Sequence, residues 1–217
     1  MTDDCRAGAP GFTYRPVGAT GEPGAWPPER LRRAGFRTLR YGAELGHGRA
    51  AFDAASAALL EWRAHREMGV AVRTAARRAR PGAQVTVRLG VGRLRVPGPC
   101  RVVWSEERAT AAGWAYGTLP GHPVAGEEAF RVTLGADGTV RLTVQAFSRP
   151  VTWWTRAAGP LLPAFQRAYA WWCGRALRRI VRRETGSAEG RFRLVRRAAE
   201  SRQSDKTSLN PSVTERS

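Results

Sequence analysis

Phe130-Arg131-Val132-Thr133-Leu134-Gly135-Ala136-Asp137-Gly138-Thr139-Val140-Arg141-Leu142-Thr143-Val144-Gln145-Ala146 is the stretch that decides the fold. Phe130, Val132 and Leu134 alternate with Arg131 and Thr133. Val140, Leu142, Val144 and Ala146 then alternate with Arg141, Thr143 and Gln145. A period of two sends each set to its own face of a sheet, so both runs read as half-buried strands. Gly135-Ala136-Asp137-Gly138 between them suits a tight hairpin, because Gly and Asp tolerate the positive φ that such turns need.

Moving outward, Val85, Val87 and Leu89 alternate with Thr86 and Arg88, and Val102–Glu106 and Gly113–Thr118 read as further strands around a turn at Arg108–Ala112. Together these predict an antiparallel meander from Gln84 to Arg149, which Pro150 ends. Before it lie an extended stretch, Phe36–Leu45, and the breaker Gly46-His47-Gly48. Phe52, Ala55, Leu59 and Trp62 follow on one face of a helix from about Arg49 to Arg66. After it, Gly159-Pro160 and Pro163 lead into a long helix. Leu162, Phe165, Tyr169, Trp172, Ala176 and Ile180 are its expected buried stripe, with Arg167, Trp171, Arg175, Arg178 and Arg182 on another face. Gly8–Pro28 reads as irregular structure over the domain. The fold class is therefore α+β: an antiparallel meander curved around a long C-terminal helix. Its element order resembles the helix-grip architecture of START-like lipid and polyketide proteins, in which a cavity separates sheet and helix. The domain is expected to span 1–184, with 185–217 a basic, disordered tail poor in apolar residues.

Composition sets the outer limits. The chain of 217 residues is long enough for one well-buried core. Its net charge of +18 is almost all arginine, Lys206 being the sole lysine, while Arg101–Pro150 is neutral. Such a chain should associate weakly and nonspecifically with polyanions. No apolar run approaches the ~18 residues of a membrane span. Met1–Pro10 carries Asp3 and Asp4 and no signal-like apolar stretch, so the expected compartment is the cytoplasm. Cys5, Cys100 and Cys173 form no Cys-x-x-Cys pair and suggest neither a disulfide framework nor a zinc site. Phosphate-binding loops, Gly-x-Ser-x-Gly elbows and His-Glu-x-x-His motifs do not occur, and no cofactor is implied.

The chemistry concentrates around Tyr116-Gly117-Thr118-Leu119-Pro120-Gly121-His122-Pro123, Gly126-Glu127-Glu128-Ala129-Phe130 and Ala146-Phe147-Ser148-Arg149-Pro150. The candidate ligand-binding residues are Tyr116, Thr118, His122, Glu128, Ser148 and Arg149. His122 rides on a turn-rich loop; it reads either as an acid or base near neutral pH or, the favoured reading, as a brace for that loop. Glu128 shares the apolar face of Phe130 and Val132, so it must reach the sheet's end, line a cavity or pair with a cation, with Ser148 and Arg149 the expected partners. Glu127 points to the opposite face, which excludes a glycosidase-like pair with Glu128. Trp153-Trp154 and Trp171-Trp172 read as ligand-stacking, membrane-interface or sheet-packing groups, the last being commonest.

These three motifs, in this order, resemble the bacterial and plant family known as domain of unknown function 1990. The resemblance extends to Tyr14-Arg15-Pro16-Val17-Gly18, to Leu45-Gly46-His47-Gly48 with Phe52 and Trp62, and to Gly159-Pro160 with Gln166. It covers about residues 12–183 and implies kinship without an assigned activity. Three functions stay open. The first is a carrier that holds a small apolar or amphipathic ligand between sheet and helix. The second is an enzyme using His122 and Glu128 for proton transfer, and the third is an interaction protein binding anionic surfaces through its arginine-rich helix and tail.

Overall fold

The computed structural model describes the backbone of residues 11–21, 26–91 and 94–208, with side chains for these except 89–95 and 187–208. A short helix α1 (Pro28–Arg33) precedes strand β1 (Arg37–His47), helix α2 (Gly48–Leu60) and helix α3 (Arg63–Glu67). Six strands follow: β2 (Ala71–Arg73), β3 (Gln84–Val91), β4 (Leu94–Glu107), β5 (Ala111–Thr118), β6 (Val124–Leu134) and β7 (Thr139–Pro150). Helix α4 (Trp153–Ala157) and helix α5 (Leu161–Ser208) close the chain's described part.

The expected meander is present. Strands β2 to β7 pair antiparallel in sequence order, and β1 adds to the free edge of β7. The β6–β7 hairpin pairs Leu134 with Val140, and Asp137 accepts from the Thr139 amide at 3.0 Å while Gly138 takes φ +80°. Aspartate thus caps the turn that glycine makes sterically free.

One sheet face carries Val85, Val102, Trp114, Phe130, Val132 and Leu142, all buried under α2 and the middle of α5. Phe52, Ala55, Leu59 and Trp62 are buried as their spacing requires. The helix holding them is shorter than expected, because Trp62 turns left-handed at φ 63° and separates α2 from α3. That turn delivers its indole into the core, where its N–H reaches the Ala76 carbonyl at 3.1 Å and the ring lies 4.7 Å from Trp114.

Helix α5 departs from its expected face. Tyr169, Cys173, Ala176, Leu177 and Ile180 are buried, whereas Trp172 is 47% exposed and Phe165 40%. The cause is a close approach to β1: a Cβ added to Gly174 would lie 3.1 Å from the Tyr41 hydroxyl and 3.3 Å from the Ala43 Cβ. Only the small face formed by Ala170, Cys173 and Gly174 fits there, which rotates Trp172 outward. Of the second stripe, Arg167, Trp171, Arg175 and Arg182 are exposed and Arg178 is half-buried, donating to the Glu44 carbonyl. The backbone stays helical past Thr185, consistent with the strong intrinsic helix propensity of its Ala, Glu and Arg residues. The expected disordered tail, 185–217, thus lies partly within this helix and, from 209, outside the described residues. Among the described residues no helix is long and apolar enough to cross a membrane.

On the sheet's other face the N-terminal segment forms a second small core, with Tyr14, Leu31 and Phe36 packed against Ala125 and Phe147. The Gly8–Pro28 reading of irregular covering structure holds over its described part.

Candidate functional site

Where α5 begins, its first turns stand off the sheet. A cavity of about 400 Å³ opens there between β3–β7, α4 and the first turns of α5. Val87, Ala146, Leu162 and Phe165 give it apolar walls. Helix α4 is held beside it by a capping box between Thr152 and Thr155, and the Thr155 hydroxyl donates to the Pro123 carbonyl at 3.1 Å. The loop between β5 and β6 and the short helix thereby form one rim.

Glu128 is the central polar group. Its position opposite Ala146 on β7 and beside Tyr116 on β5 points it inward, and the Tyr116 hydroxyl donates to its carboxylate at 2.7 Å. Burial raises its pKa to about 7, and the tyrosine hydrogen bond opposes only part of that rise. Burial and the nearby Glu128 charge also push up the phenols of Tyr116 and Tyr169 and the thiols of Cys100 and Cys173, so these four stay protonated at neutral pH. The Tyr169 hydroxyl is buried beside this group and makes no hydrogen bond of ordinary geometry. A carboxyl that titrates near neutrality, with phenols around it, can bind a hydroxyl, an amide or an amine, or exchange a proton.

Tyr116, Thr118, His122, Glu128 and Ser148 all lie along the cavity. Ser148 accepts from the Gln166 amide at 2.8 Å, linking β7 to α5. Thr118 also bridges strands: its hydroxyl accepts from the Gly126 amide at 3.0 Å and meets Thr13 Oγ1 at 2.7 Å. His122 is tied to its own loop. Its Nδ1 lies 2.9 Å from the Val124 carbonyl and 3.1 Å from the Val124 amide, its ring packs against Gly98, and burial lowers its pKa to about 4.

Arg149 does not join them. It follows Ser148, so strand alternation turns it to the opposite face, where it is exposed with its guanidinium 5.0 Å over the Phe36 ring. The expected Glu128–Arg149 pair is therefore absent, and a neutral tyrosine replaces it.

Two features escaped the sequence reading. Gln166 was noted only as part of the family resemblance, although it is a polar cavity group. Glu127 is 2% exposed and anchors the N-terminal segment. Its carboxylate accepts from the Tyr14 hydroxyl at 2.7 Å, the Gly18 amide at 2.7 Å, the Thr20 amide at 3.0 Å and the Thr20 hydroxyl. Tyr14 reaches it by crossing Gly117, where an added Cβ would lie 2.1 Å from the phenol oxygen. The signal was legible in part: Tyr14-Arg15-Pro16-Val17-Gly18 and the motif that holds Glu127 are separate stretches of the same family resemblance.

A curved antiparallel sheet that closes on a C-terminal helix, with a cavity between them, defines a helix-grip, START-like fold. A hypothetical protein, jhp0584, from Helicobacter pylori superposes with a TM-score of 0.54 at 11% identity, covering 72% of this chain and 92% of that one. The Zhui aromatase/cyclase from Streptomyces sp. R1128 does so at 0.50 and 16% identity, covering 69% and 96%. At such identities these establish the fold alone. The chain belongs to the family described as Domain of unknown function (DUF1990), whose model matches residues 13–176. A UPF0548 protein of Deinococcus radiodurans is 42% identical over 67 residues, which is 31% of this chain and 34% of that protein. The match thus spans about a third of that relative's length.

Proposed function

We propose that this protein binds one small apolar or amphipathic molecule in the cavity, with its polar end at Tyr116 and Glu128. The observation that carries this is the cavity's construction. Apolar walls line a space of about 400 Å³, within the range of small-molecule pockets, and the Glu128 carboxyl with its Tyr116 partner stands among them. Apolar walls supply affinity by burying ligand surface, and Glu128, Tyr116 and Gln166 fix orientation. The near-neutral Glu128 favours an uncharged donor below pH ~7 and a cationic one above it.

One observation favours a second reading. A carboxyl titrating near 7 is matched to proton transfer, and a protein of similar fold, Zhui, is named an aromatase/cyclase, which supports this reading. Glu128 and Tyr116 would carry that chemistry, because His122 is committed to the Val124 backbone. Native mass spectrometry of the protein as purified tests the first reading. A stoichiometric adduct lost on denaturation is expected, and a bare mass that stays bare on incubation with fatty acids, sterols and aromatic polyketides counts against it. Turnover of a bound molecule, lost in Glu128→Gln, would move the reading to the enzyme.

A further inference from the structure

Apolar side chains of the kind that cores absorb stand in the open at the cavity mouth, on α4 and farther along α5. Trp153 is 79% exposed and Leu161 72%, while Val151, Trp154, Phe165 and Trp172 range from 40% to 47%. Val96, 41% exposed, joins them from β4. Val96, Trp154, Leu161 and Phe165 are both exposed and part of the cavity lining, which makes them its rim. Leu161, Phe165 and Trp172 fall at i, i+4 and i+11 of α5, so they share one helical stripe. Trp153 adjoins Trp154 on α4.

The charge around this rim has one sign. Every charged residue from Val151 to Arg183 is an arginine. Arg156 and Arg167 are exposed beside the rim and Arg175 and Arg179 farther along α5, and none of them is in an ion pair among the described residues. Arg175 lies 4.8 Å over the Trp171 ring, an arrangement that keeps cation and indole together at the surface.

We propose that this rim docks on an anionic lipid bilayer, with Trp153, Trp154, Leu161, Phe165 and Trp172 inserted at headgroup depth and the arginines paired with lipid phosphates. Exposed tryptophans and leucines beside arginines are the composition that binds bilayer interfaces, where apolar burial and attraction to anionic lipid add together. A second copy of the chain is a poor occupant, because self-association would oppose two sets of unpaired arginines. Docked this way, the cavity mouth faces the hydrocarbon, and an apolar molecule could pass between bilayer and cavity without crossing water.

The experiment is co-sedimentation of the full chain with phosphatidylcholine vesicles, with and without phosphatidylglycerol, alongside the double variant Trp153→Ser, Leu161→Ser. Both side chains are mostly exposed, so the variant's melting temperature should match the parent. The parent should bind the anionic vesicles, and brominated acyl chains should quench its tryptophan fluorescence. The variant should bind roughly tenfold more weakly or worse, because the inserted apolar area is lost while the arginines remain. Equal binding by parent and variant, with no quenching, would overturn the proposal and assign the attraction to charge alone. Failure of the parent to bind, or a dimer in solution that the double variant abolishes, would overturn it equally.

Discussion

The first turns and the middle of helix α5 face the same sheet and have opposite interiors. From Cys173 to Val181 the helix packs solidly on β1, α2 and α3, with Cys173, Leu177, Trp62, Trp114 and the imidazole of His65 almost wholly inaccessible. From Leu161 to Tyr169 it stands off the sheet, and the gap is the cavity. The sequence of events along the chain explains the contrast. Helix α2 and the tryptophans fill the space at one end, while at the other only the short α4 and a rigid loop reach across. The packed core and the cavity thus occupy different parts of one helix–sheet sandwich.

Substitutions should separate the two parts. Trp114→Ala, at the filled end, should cost about 3–5 kcal/mol through cavity formation and loss of the indole hydrogen bond to the Leu59 carbonyl. Phe165→Ala, at the open end, should cost under about 1 kcal/mol and still weaken binding of an apolar ligand. Chemical denaturation read by circular dichroism checks both, and equal costs would break the comparison.

Glu127→Ala should rank next, at about 2–4 kcal/mol, because it strands the buried Tyr14 hydroxyl and the Gly18 and Thr20 amides. Limited proteolysis should find the N-terminal segment released, with the β2–β7 meander still protected.

A subtler effect follows from pH. Glu128 is raised from 4.5 to about 7 in the fold, so its protonated form is favoured there, and this stability is lost as pH rises from about 4.5 through about 7. His65 and His122 are lowered from 6.5 to about 4, so their contribution is lost in the other direction, as pH falls from about 6.5 through about 4. Glu128→Gln removes only the first effect. Relative to the parent, its stability should improve with rising pH, by up to roughly 3 kcal/mol above pH ~8. Thermal melts at a series of pH values measure this, and a pH-independent difference would mean that Glu128 ionises freely.

The smallest effect is expected from deleting 187–217: a change within about 0.5 kcal/mol, with weaker and less salt-sensitive attraction to polyanions. A melting temperature that falls by several degrees would show the tail to be part of the core.

The sheet was readable because a period of two is local: Phe130 to Ala146 states both faces and the turn without help from the rest of the chain. The inward aim of Glu128 followed from that same period. Applied one step further, it would also have turned Arg149 away from Ser148. The face of α5 was harder. Trp172 and Tyr169 both satisfy helical spacing, and the choice between them depends on Gly174 fitting closely beside Tyr41, a contact across most of the chain. Trp62 gave no local sign of its left-handed turn. Glu127 looked like an ordinary outward carboxylate because its partners come from a Gly- and Pro-rich segment with no periodicity.

The central claim is that the space behind Glu128 is a binding site, and filling it tests that most directly. Ala146 faces Glu128 across the β6–β7 register and lines the cavity. Titration of the parent with an apolar fluorophore such as anilinonaphthalene sulfonate should show one saturable site. Ala146→Phe should abolish that site while leaving the circular dichroism spectrum and melting temperature close to the parent's. A folded Ala146→Phe that binds the fluorophore as tightly as the parent would contradict the account.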